Sequence, residues 1–78
     1  MEYLIESLSA EQRMVLLYAF RSNGFVKSGR YGFRKSTLSV LERHGLVSMI
    51  WKGAFDAGWS LTIYGKDVAK QLSEVKSA

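Results

Sequence analysis

Residues 34–47 read RKSTLSVLERHGLV, and how this stretch folds decides what the rest of the chain can be. Setting each side chain 100° after the last, as a 3.6-residue turn requires, divides it cleanly. Thr37, Leu38, Val40, Leu41 and His44 fall on one side and Lys35, Ser36, Ser39, Glu42 and Arg43 on the other. That division predicts a two-faced helix over residues 35–44. Gly45 stops it, because glycine closes a helix end without steric cost. Val47, Met49 and Trp51 then recur at a spacing of two, which predicts a strand carrying all three on one side.

Toward the C-terminus, KGAFDAG (52–58) supplies turn residues, and Trp59 and Leu61 resume the period of two. A hairpin follows, with Trp51 and Trp59 expected to pack across it; such a ring pair adds about 0.5–1.5 kcal/mol beyond its buried area. Thr62 is placed to cap a last helix in which Tyr64, Val68, Leu72 and Val75 recur at helical intervals. The tail SEVKSA (73–78) is expected to fray.

Toward the N-terminus, SAEQRMVLLYAFRSNG (9–24) has a full helix grammar. Ser9 caps, Gln12 completes a capping box, and Asn23-Gly24 supplies a left-handed stop. Val15, Leu16, Tyr18, Ala19 and Phe20 form a broad apolar face, predicted to be mostly buried. EYLIESL (2–8) reads as a helical turn covering one end of the core through Tyr3, Leu4 and Leu8. GFVKSGRYGF (24–33), with three glycines, disfavours a helix and suits an extended segment or a turn.

Seventy-eight residues make one domain, and a chain this short buries only about 60% of its unfolded surface. It has no cysteine, hence no disulfide, thiolate nucleophile or thiolate zinc cage, which suits a reducing compartment. The apolar run Met14–Phe20 is far short of the ~20 residues of a membrane span, and an N-terminus bearing Glu2 and Glu6 lacks the basic start of a signal peptide. A cytoplasmic protein is expected.

Catalysis is not expected. His44 is the single histidine, and no pair of carboxylates shares a face beside it. It falls on the buried side near its helix end, where it would cap or pack. GRYGFRKS lacks the ending of a phosphate loop, and one histidine with scattered carboxylates provides no metal cluster. No cofactor or small-molecule ligand is implied.

The net charge is +4, and its distribution is uneven. From Arg21 to Lys52 seven basic residues face one acid, Glu42, a balance of +6; the remainder holds four basic and six acidic groups, −2. Such a segregated field attracts polyanions and weakens with salt, although a solvated face that merely keeps the protein dissolved has similar chemistry. Tyr31, between Arg30 and Arg34, is the best placed ring for stacking on a base.

The order of elements, with TLSVLERHGLV (37–47) and GWSLTIYGKDVAKQL (58–72), resembles the winged helix-turn-helix superfamily over residues 8–75. The first stretch is similar to the second helix of that motif running into a wing strand. The second is similar to the other wing strand turning through a Leu-Thr-x-x-Gly junction into the last helix. The chain departs from the family at residues 24–33, where another helix normally stands. The resemblance implies an α+β fold and a small transcriptional regulator or accessory factor that reads duplex DNA with helix 35–44.

Carried onto this chain, Lys35, Ser36, Ser39 and Arg43 would face the major groove, and Lys27, Arg30, Arg34 and Lys52 would hold phosphates. Glu42 is expected to pair with Lys35 or Arg43 rather than read cytosine. The hairpin tip, GAFDAG (53–58), fits less well, since Asp56 would be repelled by phosphate. Phe55 either folds back onto Trp51 or Trp59, the reading favoured, or offers an apolar spot to a protein. A protein-interaction module is therefore the alternative. Homodimerisation through the terminal helices would raise the affinity of so small a reading surface.

Overall fold

The computed structural model describes residues 6–30 and 32–77, with side chains as far as Glu74. The elements run α1 (Ala10–Arg21), β1 (Phe25–Gly29), α2 (Lys35–Arg43), β2 (Val47–Lys52), β3 (Asp56–Leu61) and α3 (Ile63–Ser77). The fold is α+β: helices on one face of a three-stranded antiparallel sheet of order β1-β3-β2. In the described part of segment 24–33, β1 is extended and the chain folds back on it, the Gly32 amide donating to the Gly29 carbonyl and the Phe33 amide to the Lys27 carbonyl. Of the N-terminal helical turn, Tyr3 and Leu4 lie outside the described residues, whereas Leu8 is buried in the core.

α1 begins with the capping box read from its sequence. The Ser9 hydroxyl accepts from the Gln12 amide, and the Gln12 side chain accepts from the Ser9 amide. It ends at Asn23, whose φ of 59° is left-handed, with the Gly24 amide donating back to the Ala19 carbonyl. α2 ends in the same way: the Leu46 amide reaches the Leu41 carbonyl across Gly45, at φ 76°. These caps satisfy carbonyls that a helix end otherwise leaves bare.

The core joins Val15, Leu16 and Ala19 of α1, Leu38 and Leu41 of α2, and Val68, Ala69 and Leu72 of α3 to the inner sheet face of Val26, Val47, Ala57, Trp59 and Leu61. Trp59 is the largest fully buried side chain, and its indole N–H donates to Ser28 Oγ at 2.8 Å.

Several expectations are corrected. Tyr18 and Phe20 are exposed, because Val15, Leu16 and Ala19 already fill the side of α1 that meets the core. In α3 the core side is Val68, Ala69 and Leu72, and Tyr64 is turned outward. The helix is assigned as far as Ser77, and the side chain of Val75 lies outside the described residues. His44 is exposed rather than buried: it is the residue that closes α2, and the chain returns to the core at Leu46.

Trp51 does not pack on Trp59. Met49 pairs with Trp59 but Trp51 pairs with Gly58, so a bulge at Ile50 turns Trp51 to the outer face. One extra residue reverses a period-two pattern from that point on.

The junctions on either side of the hairpin interlock. The Thr62 hydroxyl donates to the Gly45 carbonyl at 2.6 Å and accepts from the Gly65 amide at 2.9 Å, while the Thr62 amide donates to the Leu46 carbonyl. Gly65 is packed so closely that a Cβ there would lie 1.9 Å from the Leu46 carbonyl oxygen. The start of α3 is thus locked onto the chain leaving α2.

Candidate nucleic-acid interface

α2 starts without help from its own sequence. Its N-cap is Arg34, which makes no side-chain cap, and its first turn contains no acid. The compensating negative charge comes from α1. Glu11 Oε1 accepts from Arg34 Nη2 at 2.6 Å, and Oε2 accepts from the Thr37 hydroxyl. The Arg34 guanidinium, and then the Thr37 hydroxyl, hold the Glu11 carboxyl below the usual carboxylate range. Arg34 is held more firmly charged in return. A carboxylate beside an amide-bearing helix start is favourable in the same way.

This clamp changes the reading of Arg34. Its side chain is 76% exposed, yet its guanidinium already carries a carboxylate, with which a phosphate must compete. Ser36 stands with Arg34 and Glu11 around a shallow recess between the starts of α1 and α2.

Lys35 borders a different recess. Together with Lys52 and Phe55 it lines a cleft of about 150 Å³ between the start of α2 and the hairpin, in which Asp56 also takes part. The fold therefore brings one cation from the helix and one from the hairpin to the same side. Arg43 is exposed at the far end of α2, and Ser39 is half-buried on the same helix.

Glu42 makes no ion pair with Lys35 or Arg43. Lys35 is seven residues away and Arg43 is its neighbour, whereas pairing on a helix needs a spacing of three or four.

The other expected contacts lie elsewhere. Arg30 is exposed in the turn after β1, and Tyr31 lies outside the described residues. Lys27 faces the outer side of the sheet, with its ammonium 5.8 Å from the centre of the Trp51 ring. It borders a cleft of about 600 Å³ that also holds Tyr18, Phe25, Phe33 and Trp51, a cluster the sequence reading did not assemble. Part of its signal is legible, since Phe25 and Lys27 alternate with Val26 and Ser28. The bulge that adds Trp51 has no such signal.

Phe55 is 80% exposed and does not fold back onto either tryptophan. The tip is too short for return: the Gly53 amide closes directly onto the Asp56 carbonyl at 2.7 Å, leaving the intervening side chains outside the turn.

Among the described residues there is no group of three potential metal ligands, and no helix is long and apolar enough to cross a membrane. Comparison of the chain with known proteins finds no matching family model, no similar curated protein and no similar solved structure.

Proposed function

We propose that this chain is a winged-helix module that binds duplex DNA, a small transcriptional regulator or accessory factor that lays α2 in the major groove beside the β2–β3 hairpin. The observation that carries the reading is the shared cleft in which Lys35 of the helix and Lys52 of the hairpin stand on the same side, two cations with the single carboxylate of Asp56 among its described lining. The passage from α2 through Gly45 into β2, and from β3 through Thr62 into α3, supports the winged arrangement. Lys35, Ser36, Ser39 and Arg43 would meet base edges, and Lys52 the backbone. Asp56 keeps the very tip off the phosphates, so the hairpin contributes through Lys52.

Anisotropy of a labelled random-sequence duplex, titrated with protein at about 50 and 200 mM salt, tests this. Each phosphate contact contributes a log–log slope of about −0.9, so several contacts give a slope of several units. Replacing Lys35 and Arg43 together by Ala is expected to lower the affinity at least tenfold, with the melting temperature unchanged because both side chains are exposed, whereas Lys52→Ala, which removes a backbone contact, is expected to lower the slope by about one. Absence of binding at the lower salt removes the reading.

The exposure of Phe55 favours a second reading, in which the hairpin tip docks on a protein. Phe55→Ala would then abolish capture of that protein and leave DNA affinity intact.

A further inference from the structure

The outer face of the sheet is left over by the duplex reading, yet it is the most aromatic surface described. Tyr18 and Phe25 are each 54% exposed and Trp51 is 41% exposed, and all three border the 600 Å³ cleft beside Lys27. Tyr18 is held by Phe33 in an edge-on contact at 5.5 Å between ring centres. Trp51 lies flat on β3: a Cβ at Gly58 would sit 2.0 Å from its Nε1 and 2.6 Å from its Cδ1. One face of the indole is thus spent on covering a glycine, and the Lys27 ammonium lies 5.8 Å from the ring centre, close enough to meet the phosphate of a base stacked on the exposed part of the ring.

Among the described residues no carboxylate lines this cleft. Its described lining offers flat aromatic faces with Lys27 as the cation, which suits a planar ring bearing a negative charge. Unpaired nucleotides meet both requirements, because every base has a π-face for stacking and every linkage a phosphate. The volume exceeds that of one nucleotide, and the cleft runs beside β1 in the part of the chain whose charge balance is +6. We propose that the cleft between α1 and the outer sheet face binds an unpaired nucleic-acid strand, with bases stacked on Phe25, Trp51 and Tyr18 and a phosphate on Lys27. This surface is separate from the Lys35–Lys52 cleft, so the two readings stand or fall independently.

The test is titration of the whole chain with a six-residue oligothymidylate, read by anisotropy and by tryptophan emission. Trp59 is sealed in the core, so quenching on binding reports Trp51. Binding with quenching is expected, and Phe25→Ala should weaken it by about five- to 150-fold, given the usual worth of one stacked base. Lys27→Gln should weaken it and flatten its salt dependence. The Lys35→Ala/Arg43→Ala variant should bind the single strand as the parent does, even where it has lost the duplex. Should Phe25→Ala fail to melt cooperatively, Lys27→Gln and an abasic oligomer of equal length decide. Equal binding of the abasic oligomer, binding without quenching, competition by free thymidine monophosphate at the oligomer's own affinity, or no binding would each overturn the proposal.

Discussion

Trp59 and Trp51 are eight positions apart and do opposite things. Trp59 is fully buried, and the one polar atom it carries inward is matched by Ser28 Oγ at 2.8 Å. Ser28 faces the interior because it shares parity with Val26 on β1, where it pairs with Ala57 beside Trp59. Removing its hydroxyl leaves a buried indole N–H without a partner, which costs about 1–3 kcal/mol. Ser28→Ala is therefore expected to lower the melting midpoint by about 4–8 °C per kcal/mol in a domain of this size, and Trp59→Phe in the same chain should recover part of the loss by removing the orphaned donor. A thermal melt followed by circular dichroism reads both. The inward parity of Ser28 is legible in the sequence; its pairing with a tryptophan 31 residues away is a matter of strand register alone.

Two junctions between elements decide how the helices sit. At the first, Glu11 of α1 carries Arg34 and Thr37 at the start of α2. The folded chain binds a proton on Glu11 less readily than the unfolded chain does. The clamp's contribution to stability is accordingly present above the ordinary carboxylate value of 4.5 and is lost as pH falls through the lower folded value. Glu11→Gln should melt earlier than the parent at neutral pH, and the gap between the two midpoints should close as the pH is taken below 4.5. A gap that stays constant from neutral to acid pH would assign the effect to something other than this charge. At the second junction, Gly65 lies in the first turn of α3, where helix propensity alone favours alanine over glycine by about 1 kcal/mol. Overlap of the new Cβ with the Leu46 carbonyl, 1.9 Å away, opposes that gain with rigid backbone. Gly65→Ala is expected to be net destabilising by about 1–3 kcal/mol, measured by urea denaturation. The Leu-Thr-x-x-Gly pattern was visible in the sequence, but the partner that makes its glycine necessary was not.

The whole molecule has one core shared by every described element, so damage at its centre is not absorbed locally. A chain of 78 residues has a total stability on the order of 4–12 kcal/mol at the usual value per residue. Trp59→Ala removes about 3–5 kcal/mol from that total, and the expected result is a thermal transition lowered by about 4–8 °C for each kcal/mol lost, seen in both far-ultraviolet circular dichroism and tryptophan emission. The exterior divides differently from the core. The start of α2 and the hairpin carry Lys35 and Lys52, whereas the uncovered sheet face carries Phe25, Lys27 and Trp51. The basic stretch that is continuous in sequence is therefore split over two surfaces, because β1 runs outward on one edge of the sheet and α2 returns across its inner side.

The sequence by itself determined the helices within 9–24 and 35–44, the Ser9 cap of the first, the glycine stops of both, the hairpin and the closing helix. Each of these rests on interactions within a few residues: side-chain period, capping groups, and glycine or asparagine at left-handed positions. Tertiary structure decided what those elements present. The bulge at Ile50 reversed Trp51, the filling of the core by Val15, Leu16 and Ala19 turned Tyr18 outward, and Glu11 reached 23 residues along the chain to take Arg34. These outcomes depend on which side chain claims a limited volume or a distant partner first, and a local pattern carries no information about its competitors.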